Sequence, residues 1–143
     1  MSTRIIVDAN VLLSALIGKT TAWYFDRLLT ARALDSVQLY HTGRLITEVQ
    51  ASIQKPKLRK LIDSKKAVSF LKNFESVSSH IAINPTVLSS ASRDPKDNYL
   101  LVLSEQADAD YLITGDKDLL VLKHYLSTQI VSFAEFNTAF FGG

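Results

Sequence analysis

The sequence predicts an α/β fold, a parallel sheet covered by helices, and three observations carry that prediction. Short β-branched runs alternate with longer stretches of helical apolar spacing, two of the runs are followed by an aspartate, and no Pro/Gly/Ser-rich linker or repeat interrupts the alternation. Alternation of this kind favours parallel strands joined by right-handed crossovers.

Element by element, residues 4–7 (Arg-Ile-Ile-Val) form a buried strand that stops at Asp8. Residues 9–17 place Val11, Leu12, Ala15 and Leu16 at helical spacing, and Gly18 ends the helix. A second helix spans about 22–33 with Trp23, Phe25, Leu28 and Leu29, and a second strand spans 37–40. From Thr42 a helix aligns Leu45, Ile46, Val49 and Ile53 on one stripe, Pro56 breaks it, and two lysine-rich helical pieces cover about 56–75. Residues 81–83 read as a third strand, 95–107 as a helix and 111–114 as a fourth strand. The tail, 130–141, reads as a last strand and a short helix, for four or five strands in all.

The 143 residues fit one compact domain. At 47% apolar and 21% charged the chain can build a core and is not disordered, while a net charge of +2 permits a polyanionic partner without demanding one. The absence of cysteine excludes disulfides, thiolate zinc sites and a thiol nucleophile, and fits a reducing compartment. His41, His80 and His124 are isolated, with no HExxH-like pair, and read as structural. No signal peptide or membrane-length apolar run is present, so a soluble, cytoplasmic protein is expected.

In open α/β sheets ligands gather beyond the carboxyl ends of the strands. Asp8 follows the first strand, Asp116 follows the 111–114 strand after one glycine, Glu48 lies early in the helix after the second strand, and Asp97 sits in the first turn of the helix after the third. If the strands are parallel, all four acids share one sheet edge. Carboxylates crowded together raise one another's pKa, and a divalent cation resolves the conflict. Oxygen-only donors suit Mg²⁺ or Mn²⁺, which promotes phosphodiester hydrolysis.

Each acid also has an ordinary structural use. Asp94, Pro95 and Asp97 suit a helix start, Asp116 and Asp118 suit turns and caps, Glu48 suits a solvated helix face, and Asp8 suits an N-cap with Asn10 close by. Lys55, Lys57, Arg59, Lys60, Lys65 and Lys66 form either a nucleic-acid-contacting stretch or a solvated face. The adjacent Trp23, Tyr24 and Phe25 point around a helix and suit core or dimer packing. Without a Gly-x-Ser-x-Gly elbow, Ser14 and Thr114 suit local hydrogen bonds rather than nucleophilic roles.

The segments Ile5-Ile6-Val7-Asp8-Ala9-Asn10-Val11-Leu12-Leu13-Ser14-Ala15, then Glu48, then Arg93-Asp94-Pro95-Lys96-Asp97-Asn98, then Tyr111-Leu112-Ile113-Thr114-Gly115-Asp116-Lys117-Asp118-Leu119 resemble the PIN domain, and most of all its VapC-like toxin branch. Residues 131–136 resemble the family's closing segment. The resemblance implies one nuclease domain over residues 1–143, a three-layer α/β/α fold with a central parallel sheet of four or five strands, and a Mg²⁺- or Mn²⁺-dependent endoribonuclease. It also implies a homodimer and an antitoxin protein as partner. Asp8 and Asp97 match the principal metal-binding positions, Glu48 and Asp116 the supporting acids, Asn10 the residue that orients the first aspartate, and Thr114 the hydroxyl residue before the last acid. The candidate RNA contacts are Lys55, Lys57, Arg59 and Lys60. Asn98 departs from a pattern in which a further acid often stands there, which weakens the case for a second metal ion.

Two other classes fit the sequence less well. A phosphoryl-transfer domain wants an acidic pair or Asp-x-Asp after its first strand, and Asp8-Ala9-Asn10 supplies neither. A catalytically silent module that binds RNA or protein is the alternative function.

Overall fold

The computed structural model describes residues 2–83 and 98–143. Its elements run β1 (Thr3–Val7), α1 (Ala9–Ile17), α2 (Lys19–Ala33), β2 (Val37–His41), α3 (Gly43–Ile53), α4 (Pro56–Arg59), α5 (Ser64–Val77), β3 (Ser78–His80), α6 (Asn98–Ala107), β4 (Tyr111–Ile113), α7 (Lys117–Leu120), β5 (His124–Tyr125), β6 (Thr128–Val131) and α8 (Phe133–Phe141). The strands form one sheet in the order β3-β2-β1-β4-β6-β5, with helices against it in a three-layer α/β/α arrangement. All neighbours pair parallel except β5, which pairs antiparallel with β6 at the edge.

Ile5, Ile6 and Val7 are all buried, and the continuous apolar run is what a central parallel strand with both faces covered requires. The chain winds outward from β1 through β2 to β3, then returns to the other side of β1 for β4, so the strand order reverses between β1 and β4. That reversal leaves a crevice at their carboxyl ends. Leu12 of α1, Leu45 of α3, Leu101 and Leu103 of α6 and Phe136 of α8 are fully buried in one core with Ile5, Leu39 and Leu112 of the sheet.

Three features depart from the sequence reading. Among the described residues the sheet has six strands rather than four or five, because the two-residue β5 (His124–Tyr125), ahead of the 130–141 tail, pairs beside β6. The third strand is Ser78–His80, not 81–83: α5 runs straight into it, and the Ser78 hydroxyl donates to the Phe74 carbonyl at 2.7 Å, fixing the exit of the helix. Its partner register, Leu39 with Ser78 and His41 with His80, overrides the higher strand propensity of the isoleucines that follow. Lys117–Leu120, which the sequence reading assigned to no element, forms a short helix, and Asp116 is its N-cap, in keeping with the cap reading of that residue.

The helix starts are built locally. At α8 the Ser132 hydroxyl accepts from the Glu135 N–H at 3.1 Å, while the Glu135 carboxylate accepts from the Ser132 N–H at 3.0 Å, a reciprocal capping box. Ser132→Ala is expected to lower unfolding stability by about 1 kcal/mol without changing the fold, as read by chemical denaturation.

Candidate active site

β1 delivers Asp8 to the crevice between β1 and β4. The backbone ladder continues through it, with the Asp8 N–H donating to the Ile113 carbonyl at 2.9 Å, and Asp8 is only 5% exposed. From the neighbouring strand end, the buried Thr114 hydroxyl donates to Asp8 Oδ2 at 2.7 Å. The same hydroxyl oxygen accepts from the Asp116 N–H at 3.0 Å, so Thr114 ties the two aspartates to one point. Asp116 Oδ1 in turn accepts from the Asp118 N–H at 2.9 Å, which makes Asp116 a structural cap and a member of the cluster at once.

Burial is the main force on the Asp8 carboxyl and lifts its pKa above 3.8; the nearby negative charge of Asp116 adds to the lift. The Thr114 hydroxyl and the amides of Asn10 and Ala9, where α1 opens, pull the other way and do not cancel it. A carboxyl whose folded-state pKa lies above its unfolded one favours folding while protonated, and that contribution fades as pH rises through the raised value. Metal-free protein is therefore expected to lose stability as pH climbs from about 4. Asp8→Asn should flatten that slope in thermal unfolding followed across pH.

Glu48 approaches from α3. Its Oε2 accepts from the Tyr99 hydroxyl of α6 at 2.9 Å, and its Oε1 lies 3.4 Å from Arg44 Nε one turn earlier on the same helix. The Arg44 guanidinium lies over the Tyr99 ring, 4.5 Å from its centroid, so the three side chains brace one another. Burial, and next the Glu48 carboxylate, hold the Tyr99 phenol well above its ordinary pKa. Tyr99 thus stays a proton donor to Glu48. The negative charge of Asp8 adds to the same shift.

Of the residues expected from sequence, the structure brings Asp8, Thr114 and Asp116 into one bonded group, while Glu48 is bonded separately to Tyr99 and Arg44. Asp97 lies outside the described residues. Among the described residues no three carboxylate or imidazole side chains gather closely enough to hold a metal ion. Asn10 is exposed, and it is its backbone amide that bears on Asp8. Ser14 is exposed; its carbonyl accepts from the Gly18 N–H at the end of α1. Lys55, Lys57, Arg59 and Lys60 are exposed on and around α4. His41 is structural, buried with Nδ1 against the Ser78 hydroxyl. Tyr99 and Arg44 were not singled out in the sequence. Tyr99 sits in the apolar run Tyr99-Leu100-Leu101-Val102-Leu103 and looks like core; the Arg44–Glu48 spacing of four was the available signal.

The donors present suit a hard divalent cation: they are all oxygen, the Asp8 carboxylate is buried beside like charge, and among the described residues no cationic side chain pairs with it.

No curated protein matches this sequence. Among solved structures, "Crystal structure of PAE2754 from Pyrobaculum aerophilum" is similar, with a TM-score of 0.64 and 18% identity, over 99% of this chain and 91% of that one. At that identity the likeness speaks for the fold. Residues 4–118 match the PIN domain, from β1 to the first residues of α7 and so across Asp8, Glu48, Thr114 and Asp116. The chain belongs to the PIN domain family, whose members are generally nuclease modules that use divalent metal ions.

Proposed function

We propose that the protein is a Mg²⁺-dependent endoribonuclease that hydrolyses RNA phosphodiester bonds, the toxin of a toxin–antitoxin pair, with Asp8, Glu48, Asp97 and Asp116 as its metal-binding acids. The observation that carries this reading is the buried Asp8 carboxylate at the strand-order reversal, held by the Thr114 hydroxyl, whose oxygen also accepts from the Asp116 N–H. A buried carboxylate beside a second one is costly without a compensating cation. Mg²⁺ or Mn²⁺ bound there would activate water for attack and offset negative charge on the phosphoryl group.

The chain's own residues have separable tasks. Asp8 and Asp97 would hold the ion; Thr114 fixes the Asp8 carboxylate by donating to Oδ2. Tyr99 and Arg44 hold Glu48 in one orientation, with Oε2 on the phenol and Oε1 toward the guanidinium. Lys55, Lys57, Arg59 and Lys60 contact the RNA backbone, a role their exposure permits and salt would weaken. Pairing with a second copy, and restraint by an antitoxin protein, belong to the same reading.

Incubation of the purified protein with RNA and Mg²⁺, with Asp8→Asn alongside, tests the reaction. Growth arrest on expression, relieved by a small neighbouring gene, tests the toxin role. A second reading, a catalytically silent RNA- or protein-binding module, draws on the lack of three clustered acids among the described residues. Calorimetric titration with Mg²⁺ separates the two: no binding heat and no cleavage favour the silent module.

A further inference from the structure

A cavity of about 500 Å³ opens at the same sheet edge, beside the acids but one strand removed from Asp8. Its wall is formed by Thr42 and Gly43, where β2 passes into α3, and by Ala82 and Ile83 just beyond β3. Tyr99 and Arg44 close the side toward Glu48, and His80, exposed at the end of β3, stands at the rim. Its volume lies within the roughly 300–1,000 Å³ usual for small-molecule sites.

The lining decides the chemistry of the occupant. Most of it is apolar, and a Cβ added at Gly43 would meet no atom within 4 Å, so the backbone there can be closely approached. Among the described residues the cationic or basic groups on the wall are Arg44, engaged with Glu48 and Tyr99, and His80, which packs edge-on against His41 with ring centroids 5.5 Å apart. The described lining offers a phosphate few cations. A flat, apolar-faced heterocycle with polar edges suits it, and single-stranded RNA offers such groups when its bases are splayed out against aromatic and guanidinium planes. Location agrees: Tyr99 touches the cavity and donates to Glu48, and adjacent strands are only about 4.8 Å apart.

We propose that this cavity is a nucleobase subsite, seating a base of the RNA next to the phosphate held at Asp8, with Arg44, His80 and Tyr99 as its contacts. This rests on the nuclease reading for the identity of the polymer, but not for the binding itself.

Metal-free wild-type protein in chelator, titrated with each of the four ribonucleoside 5′-monophosphates and with ribose 5-phosphate, provides the first test. NMR should show shifts of the His80 ring and Ile83 methyl signals with at least one nucleotide and none with ribose 5-phosphate. Equal shifts with ribose 5-phosphate, or none with any nucleotide, overturn the proposal. The second test fills the cavity with Ala82→Trp and trims its rim with His80→Ala, both at exposed positions. With thermal unfolding and Mg²⁺ affinity unchanged, each is expected to raise KM for RNA about 10-fold and to alter the base preference at the cut. Unchanged KM and preference in both variants would sink the subsite while leaving the nuclease intact. Nucleotide-induced shifts in a protein that cuts no RNA would do the reverse.

Discussion

Replacing Asp8 by Asn is expected to lower metal-dependent RNA cleavage by about 10²-fold or more while the protein stays folded. Partners that only orient a metal ligand are worth about 10–100-fold, so removal of a ligand itself should fall at or beyond the top of that range. The substitution keeps the shape and can still accept from the Thr114 hydroxyl, so the wall between β1 and β4 should survive. It removes a charge that burial and Asp116 both disfavour. In chelator and at neutral pH the variant should therefore unfold at a higher temperature than wild type, and adding Mg²⁺ should stabilise wild type more than the variant. Initial cleavage rates at saturating Mg²⁺, with unfolding curves in both conditions, check each part. Undiminished cleavage by the variant would remove Asp8 from the reaction and the proposed function with it.

The largest stability effect should come from Phe136→Ala. Phe136 is fully buried and central to an aromatic cluster: Tyr111 of β4 meets it edge-on at 5.1 Å, Phe140 stacks on it at 5.2 Å, and Phe141 meets it edge-on at 6.1 Å. Truncation loses the transfer free energy of the ring and leaves a void that neighbouring rings cannot fill without abandoning one another. A cost of about 3–5 kcal/mol is expected, a large share of the roughly 5–15 kcal/mol that holds a domain together. That corresponds to a fall of about 10 °C or more in Tm. Phe136→Leu, which keeps most of the volume, should cost far less. Denaturant midpoints for the two variants make the comparison, and equal, small effects would mean that α8 is not anchored through this ring.

What could be read in advance follows from how locally each feature is determined. β1 and α1 were legible because one is an unbroken β-branched run and the other a full turn-by-turn apolar stripe closed by Gly18. β3 was misplaced because its residues, Ser78, Ser79 and His80, have little strand propensity; pairing with β2 imposes the conformation. α7 and β5 are too short for any periodicity to register, and the turns around β5 use positive φ at Lys123 and Leu126, residues that do not announce it. At the site, the edge on which Asp8, Thr114 and Asp116 gather was deducible from strand direction alone. The Tyr99–Glu48 bond was not: it joins residues 51 apart on two helices, and an aromatic in an apolar run gives no sign that its hydroxyl has a partner.

The Thr114–Asp8 bond spans 106 positions, and β1 finds its second parallel neighbour only when β4 arrives. During synthesis the amino-terminal portion, through β3, can leave the ribosome and begin to fold while this pairing is still missing. Closing so long a loop is entropically costly and slow, which makes completion of the crevice a late step in maturation. A nascent or prematurely terminated chain ending before residue 111 would hold Asp8 at an unpaired strand edge, without the hydroxyl that orients it. On the proposed nuclease reading, topology thereby withholds reactivity from translation intermediates.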